Sequence, residues 1–176
     1  MCFAISFLVH SRTRRLITFD KLFEVEKKVD SGPLFDLYEG LKWTNAWYMH
    51  EQWVKSNHAF SGWKNAYTNG HICVIFNGKA NPLTISAKRQ GTETFSILSL
   101  EATAAWLDNL QVNIIGRRNK QDLHSTTMVL QFDSSQVVHL DWKEIDEIQF
   151  TPTSGRAHPG IDYSEKYFAI TWILLG

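Results

Sequence analysis

Cysteine is nearly missing from this sequence: Cys2, at the start, and Cys73, inside an apolar run, are the only two in 176 residues. Two thiols make no disulfide framework, so the fold must be held by its core, and a reducing compartment is permitted. An excess of either charge is missing as well. Eighteen basic and 18 acidic residues cancel, leaving no net field to draw in a polyanion, so nucleic acid is not an expected partner. The apolar run within MCFAISFLVHSRTRR is too short to span a bilayer. Arg12, Arg14 and Arg15 follow that run, whereas a secretory signal places basic charge before it. Residues 1–15 therefore read as an amino-terminal arm or edge strand, with a remnant of a targeting segment as the other reading. No Asn-x-Ser/Thr sequon occurs, which, with the poor signal, favours an intracellular location.

Signatures of catalysis are also lacking. There is no Gly-x-Ser-x-Gly elbow, no glycine-rich phosphate loop and no dinucleotide fingerprint. His50 and Glu51 begin a zinc-protease pattern, but Val54 stands where its second histidine belongs. The expectation is a protein without enzymatic activity and without a cofactor.

What the chain does contain is alternation. Leu110, Val112 and Ile114 are separated by Gln111 and Asn113, and Met128, Leu130 and Phe132 by Val129 and Gln131. Val137–Leu140 and Ile145–Phe150 add two further runs, with Ile148 and Phe150 on one side. A period of two with polar, turn-prone breaks is the pattern of strands buried on one face. Further strands are predicted at 16–20, 72–76, 83–87 and 167–175. The last is apolar enough to lie centrally, and pairing with the first strand would remove an aggregation-prone edge. Residues 23–30 read as a polar loop or one helical turn. With eight to ten strands and no helix of any length required, the predicted fold is all-β. It is a two-sheet antiparallel β-sandwich of jelly-roll topology, with residues 16–176 as a single domain.

Seven tryptophans stand out. The densest aromatic tract, YEGLKWTNAWYMHEQWVKSNHAFSGWKNAY at 38–67, has neither strict alternation nor a sustained helical period, and reads as a long ordered loop with short strand pieces over the sandwich. Sugars present apolar faces that stack on indoles and hydroxyls that bond to amides and imidazoles. Trp47, Tyr48, Trp53, His58, Trp63 and Tyr67 are thus candidates for stacking or edge contacts, and Asn45, Asn57 and Asn65 for hydroxyls. The function predicted is a non-catalytic, lectin-like carbohydrate-binding module. The alternative is an intracellular protein–protein interaction or assembly domain using the same aromatics as hot spots. The opposing structural expectation is that Trp43 and Trp47 plug the core.

Three polar clusters complete the reading. His71 and Cys73 share a strand face but lack a third ligand, so a buried thiol beside a hydrogen-bonded imidazole is expected and a metal is not. Asp141, Glu144, Asp146 and Glu147 resemble paired carboxylates, yet alternation sets Glu144 and Asp146 opposite Ile145, as at a solvated strand entrance. Asp146 is also suited to bonding turn amides. Arg117, Arg118 and Lys120 follow Gly116 at an expected hairpin tip.

Taken together, ITFD at 17–20, YEGLKWTNAWYM at 38–49, SGWKNAYTNG at 61–70, FSILSLEATAAWLDNLQVNIIG at 95–116 and LDWKEIDEIQF at 140–150 resemble a family of small jelly-roll domains. That family occurs in fungal secreted and bacterial envelope proteins and is often likened to carbohydrate-binding modules. The resemblance implies the sandwich and, less directly, secretion and glycan binding. It also implies a cation site where an Asp-Asn pair in the last strand meets the aspartate of the first. Here the last strand reads Phe168, Ala169, Ile170, Thr171, Trp172, which leaves Asp20 without the oxygens that calcium needs.

Overall fold

The computed structural model describes residues 13–26 and 30–176; most of the expected amino-terminal arm, Cys2 included, lies outside these. Thirteen strands are present among the described residues: β1 (Arg15–Thr18), β2 (Ser31–Pro33), β3 (Leu37–Tyr38), β4 (Leu41–Thr44), β5 (Ala46–His50), β6 (Cys73–Asn77), β7 (Leu83–Ala87), β8 (Phe95–Ala104), β9 (Leu107–Arg118), β10 (Gln121–Leu130), β11 (Gln136–Ile145), β12 (Glu147–Ala157) and β13 (Phe168–Leu175). One sheet runs β11-β8-β13-β6-β5-β2 with β1 also on β13, and the other runs β10-β9-β12-β7-β4-β3. All pairings are antiparallel. The all-β jelly-roll sandwich expected from the alternation is therefore the architecture. The carboxy-terminal strand is central, with β8 on one side and β6 and β1 sharing the other.

The period-two runs bury the side chains they promised. Leu110, Val112 and Ile114 are fully enclosed, as are Ile148 and Phe150. Phe150 meets Phe168 of the opposite sheet at 6.3 Å between ring centroids. The β13 register shifts between Ile170 and Trp172, and this bulge lets two successive residues face outward. Thr171 Oγ1 donates to the Ala66 carbonyl at 2.9 Å, and Trp172 Nε1 donates to Glu101 Oε2 at 2.6 Å, while Ile173 returns to the core.

Of the long ordered loop with short strand pieces expected at 38–67, the strand pieces are present and the loop is corrected. The tract contains β4, β5, helix α2 (Glu51–Asn57) and a 3-10 turn at Gly62–Ala66. His50 caps α2 by accepting from the Gln52 N–H at 3.0 Å, and Val54 is the buried residue of its inner face. Too short to show a sustained period, this helix escapes pattern reading. Together α2 and the turn form a third layer on the outer face of the larger sheet. Gly62 N–H donates to the Ala105 carbonyl at 2.8 Å, Asn65 Nδ2 to the Phe132 carbonyl at 2.7 Å, and Tyr67 OH to the Met49 carbonyl at 3.2 Å. A side chain at 62 would collide with the Ala104 carbonyl, so glycine is what allows the turn to lie this close.

Of the two readings for residues 23–30, the helical one holds for the described part: α1 (Lys21–Glu26) starts two residues earlier, and 27–29 lie outside the described residues. No helix among the described residues is long and apolar enough to cross a membrane.

Candidate functional site: an aromatic groove

A groove of ≈ 380 Å³ opens where the third layer meets the segment before β13. Its floor is Trp47 of β5 and Phe76 of β6, register partners whose rings lie 6.3 Å apart. Gly78 permits this, because a Cβ there would stand 2.5 Å from Trp47 Cδ1. One wall is Trp53 of α2, then His58 at 4.9 Å from Trp53, then Trp63 at 5.1 Å from His58. Trp106, between β8 and β9, meets both Trp63 (5.1 Å) and His58 (5.6 Å). The remaining wall comes from Tyr163, Glu165 and Tyr167, with Lys79 and Ser31 at the rim.

That last wall is anchored at its base. His158 N–H donates to the Trp106 carbonyl at 3.0 Å, and His158 Nδ1 sits 3.0 Å from Asp108 Oδ1. Its ring stacks on Phe132 at 3.9 Å and 11°. The groove is therefore held by a polar clip, not by aromatic packing alone.

Trp63 is only 4% exposed, and its Nε1 is the one buried side-chain polar atom among the described residues without a hydrogen-bond partner. An unpaired buried donor costs about 1–3 kcal/mol, and this one is closed off from solvent as well as from acceptors of the protein. Burial lowers the pKa of His58 below the ordinary 6.5, favouring a neutral imidazole that both donates and accepts. Burial, followed by the charge of Glu165, raises that of Tyr167.

Of the nine candidates from the sequence, Trp47, Trp53, His58 and Trp63 meet in the groove. The other five stand outside it, their polar groups engaged in the fold. Tyr48 is buried, with its hydroxyl 3.1 Å from Asp30 Oδ1. The Tyr67 hydroxyl is tied to Met49, and its pKa is raised, chiefly by burial. Asn45 occupies a left-handed turn (φ 56°) and donates to the Pro82 carbonyl at 3.1 Å. Asn57 donates to the Trp53 carbonyl at 2.9 Å, and Asn65 braces Phe132. Trp43, the other expected plug, is buried with Nε1 on the Tyr38 carbonyl at 3.0 Å.

Sequence reasoning missed Phe76, Trp106, Tyr163 and Tyr167. Tyr163 had a signal, an aromatic within the polar Gly/Pro-rich stretch 151–166; the others are indistinguishable from core residues of strands.

The polar clusters serve the fold. Asp20 Oδ2 lies 2.8 Å from His71 Nδ1, and Oδ1 accepts from the N–H groups of Ile72 (2.7 Å) and Cys73 (3.1 Å). Burial alone would raise the pKa of Asp20. The His71 hydrogen bond, the two amides and the His71 charge outweigh it, and the net shift is downward. Among the described residues no group of three or more His, Cys, Asp or Glu could hold a metal.

Asp146 corrects the picture of a solvated entrance. It is 2% exposed and lies in the bend between β11 and β12, where strand alternation does not carry through. Its Oδ2 accepts from Asn119 N–H at 2.8 Å and Gly91 N–H at 3.1 Å, the turn-amide role foreseen for it. Glu144 and Glu147 pair with Arg118 (3.1 Å) and Arg117 (2.7 Å) at the β9–β10 tip.

No protein-family profile matches the chain, and no curated protein matches it in sequence. Among solved structures, a DUF4465 family protein from Bacteroides ovatus superposes with a TM-score of 0.52 at 12% identity, over 93% of this chain and 94% of that one. TmCBM61, solved in complex with beta-1,4-galactotriose, gives a TM-score of 0.38 at 7% identity, over 78% and 89% of the two chains. At these identities the likeness to the Bacteroides ovatus protein establishes the sandwich fold, and the fold alone.

Proposed function

We propose that the groove binds a neutral glycan and that the protein is a non-catalytic binding module. The observation that carries this reading is the convergence of Trp47, Trp53, Trp63, Trp106, Tyr163 and Tyr167 around ≈ 380 Å³, with His58, Ser31, Lys79 and Glu165 as the few polar groups. Small-ligand sites combine an apolar lining with a few polar groups that fix orientation. Indole and phenol faces suit the C–H faces of a sugar ring, while the neutral His58 suits its hydroxyls. Titration calorimetry against a panel of neutral glycans tests the reading: millimolar or tighter binding that is lost in Trp53→Ala supports it. Absence of heat for every glycan at millimolar concentration removes it.

A second reading, docking of a protein partner, is favoured by Phe60. Its ring is 85% exposed, two residues beyond His58, as an anchor awaiting a partner's pocket would be. The discriminating variant is Phe60→Ser. Loss of a stoichiometric partner from native extract with glycan binding intact would favour this reading.

A further inference from the structure

We infer, on the basis of the glycan reading above, that the groove takes the terminal residue of a glycan end-on and does not grip the middle of a chain. The argument is the mutual inclination of its rings. Around Trp63 the neighbouring rings are tilted by 79° (His58), 57° (Trp106), 54° (Phe76) and 62° (Tyr167). A chain laid along a surface needs coplanar, outward-facing rings spaced one sugar apart. Here the rings around Trp63 are steeply inclined to one another and offer no such row. Trp63 and Trp106, deep in the groove's walls, are 4% and 5% exposed, and Tyr163 at its mouth is 51% exposed.

Size and walls point the same way. The volume of ≈ 380 Å³ is near the lower end of small-ligand pockets, roughly 300–1,000 Å³. That is room for one sugar ring and part of a second. The floor comes from β5–β6, and the sides from α2 with the 3-10 turn, the β8–β9 corner and the segment before β13. His158, held by the Trp106 carbonyl and Asp108, fixes that last wall. Lys79 and Glu165, both exposed, stand at the rim, where they reach the second residue of an entering chain and not the first.

The test is calorimetry with defined probes: methyl glycosides and β-1,4- and α-1,4-linked gluco-, galacto-, manno- and xylo-oligosaccharides of one to six residues. The same chains are also tested with the 4-hydroxyl of the non-reducing end methylated. The expected result is an affinity that plateaus within about twofold beyond two residues, one protein per chain at every length. A tenfold or greater loss on end-methylation is expected where the terminus is the non-reducing one. Affinity still climbing tenfold from two residues to six, or several proteins per hexasaccharide, overturns end-on capture and leaves glycan binding standing. No binding by any probe overturns both.

Discussion

Tyr163 lies face to face on Trp106, ring centroids 4.6 Å apart and planes 30° from parallel. The tyrosine comes from an irregular segment and is half exposed, whereas the indole is enclosed. One aromatic pair thus ties the last wall of the groove to the β8–β9 corner.

Removing that ring should open the groove without unfolding the protein. An aromatic pair contributes about 0.5–1.5 kcal/mol beyond its area, so Tyr163→Ala is expected to lower stability by about 1 kcal/mol. A comparable loss of ligand contact weakens binding roughly fivefold. Urea melts and calorimetry read the two effects, and a red shift of tryptophan emission reports the uncovered Trp106. Unchanged affinity beside a red shift would show that Tyr163 covers Trp106 but not the ligand.

Gly78→Ala addresses the floor. The added methyl, 2.5 Å from Trp47 Cδ1 and 2.6 Å from Nε1, forces the indole to move, an overpacking that costs about 1–3 kcal/mol. Glycan affinity should fall more than it does in a variant of equal stability altered in the opposite sheet, such as Ile114→Val. Equal affinities in the two would place Trp47 outside the binding contacts.

Acid should weaken the fold in two stages. Burial lowers the pKa of His58 and of His50, in the latter against opposing contributions from Glu51 and Asp30. As pH falls below the ordinary 6.5, the unfolded chain takes up protons before the folded one, and stability declines. Asp20, with a lowered pKa, adds a contribution present above 3.8 and lost as pH falls through its folded value. The urea midpoint should therefore drop between pH 7 and 5, less steeply in His58→Gln, and drop again below 3.8. A midpoint that rises over the first interval contradicts the assignment.

Cys73 should be inert in the native protein. It is 1% exposed, and burial, followed by the charge of Asp20, pushes its thiol up to about 12, so almost no thiolate is present at neutral pH. Mass-mapped alkylation should label Cys73 only in denaturant. Rapid labelling in buffer would mean that β6 opens locally.

Alternation determined the sandwich. Leu110, Val112 and Ile114, or Ile148 and Phe150, announce a buried face because a strand's side chains change sides at every residue, a rule that needs no knowledge of neighbours. The apolar composition of 167–175 set that run in the middle of a sheet, and alternation failed at Asp146 because this residue lies in the bend between β11 and β12. The groove obeys no such rule. Trp53, Trp106 and Tyr163 are far apart in the chain and meet only because a seven-residue helix and an irregular segment are packed against the outer face of one sheet. Composition could suggest that aromatics mattered, but not which ones. The asparagines that looked free to bind sugars instead bond to backbone carbonyls, since folding places those carbonyls within reach. Which rings border open space was decided by tertiary packing, because exposure belongs to the assembled layers and not to any stretch of sequence.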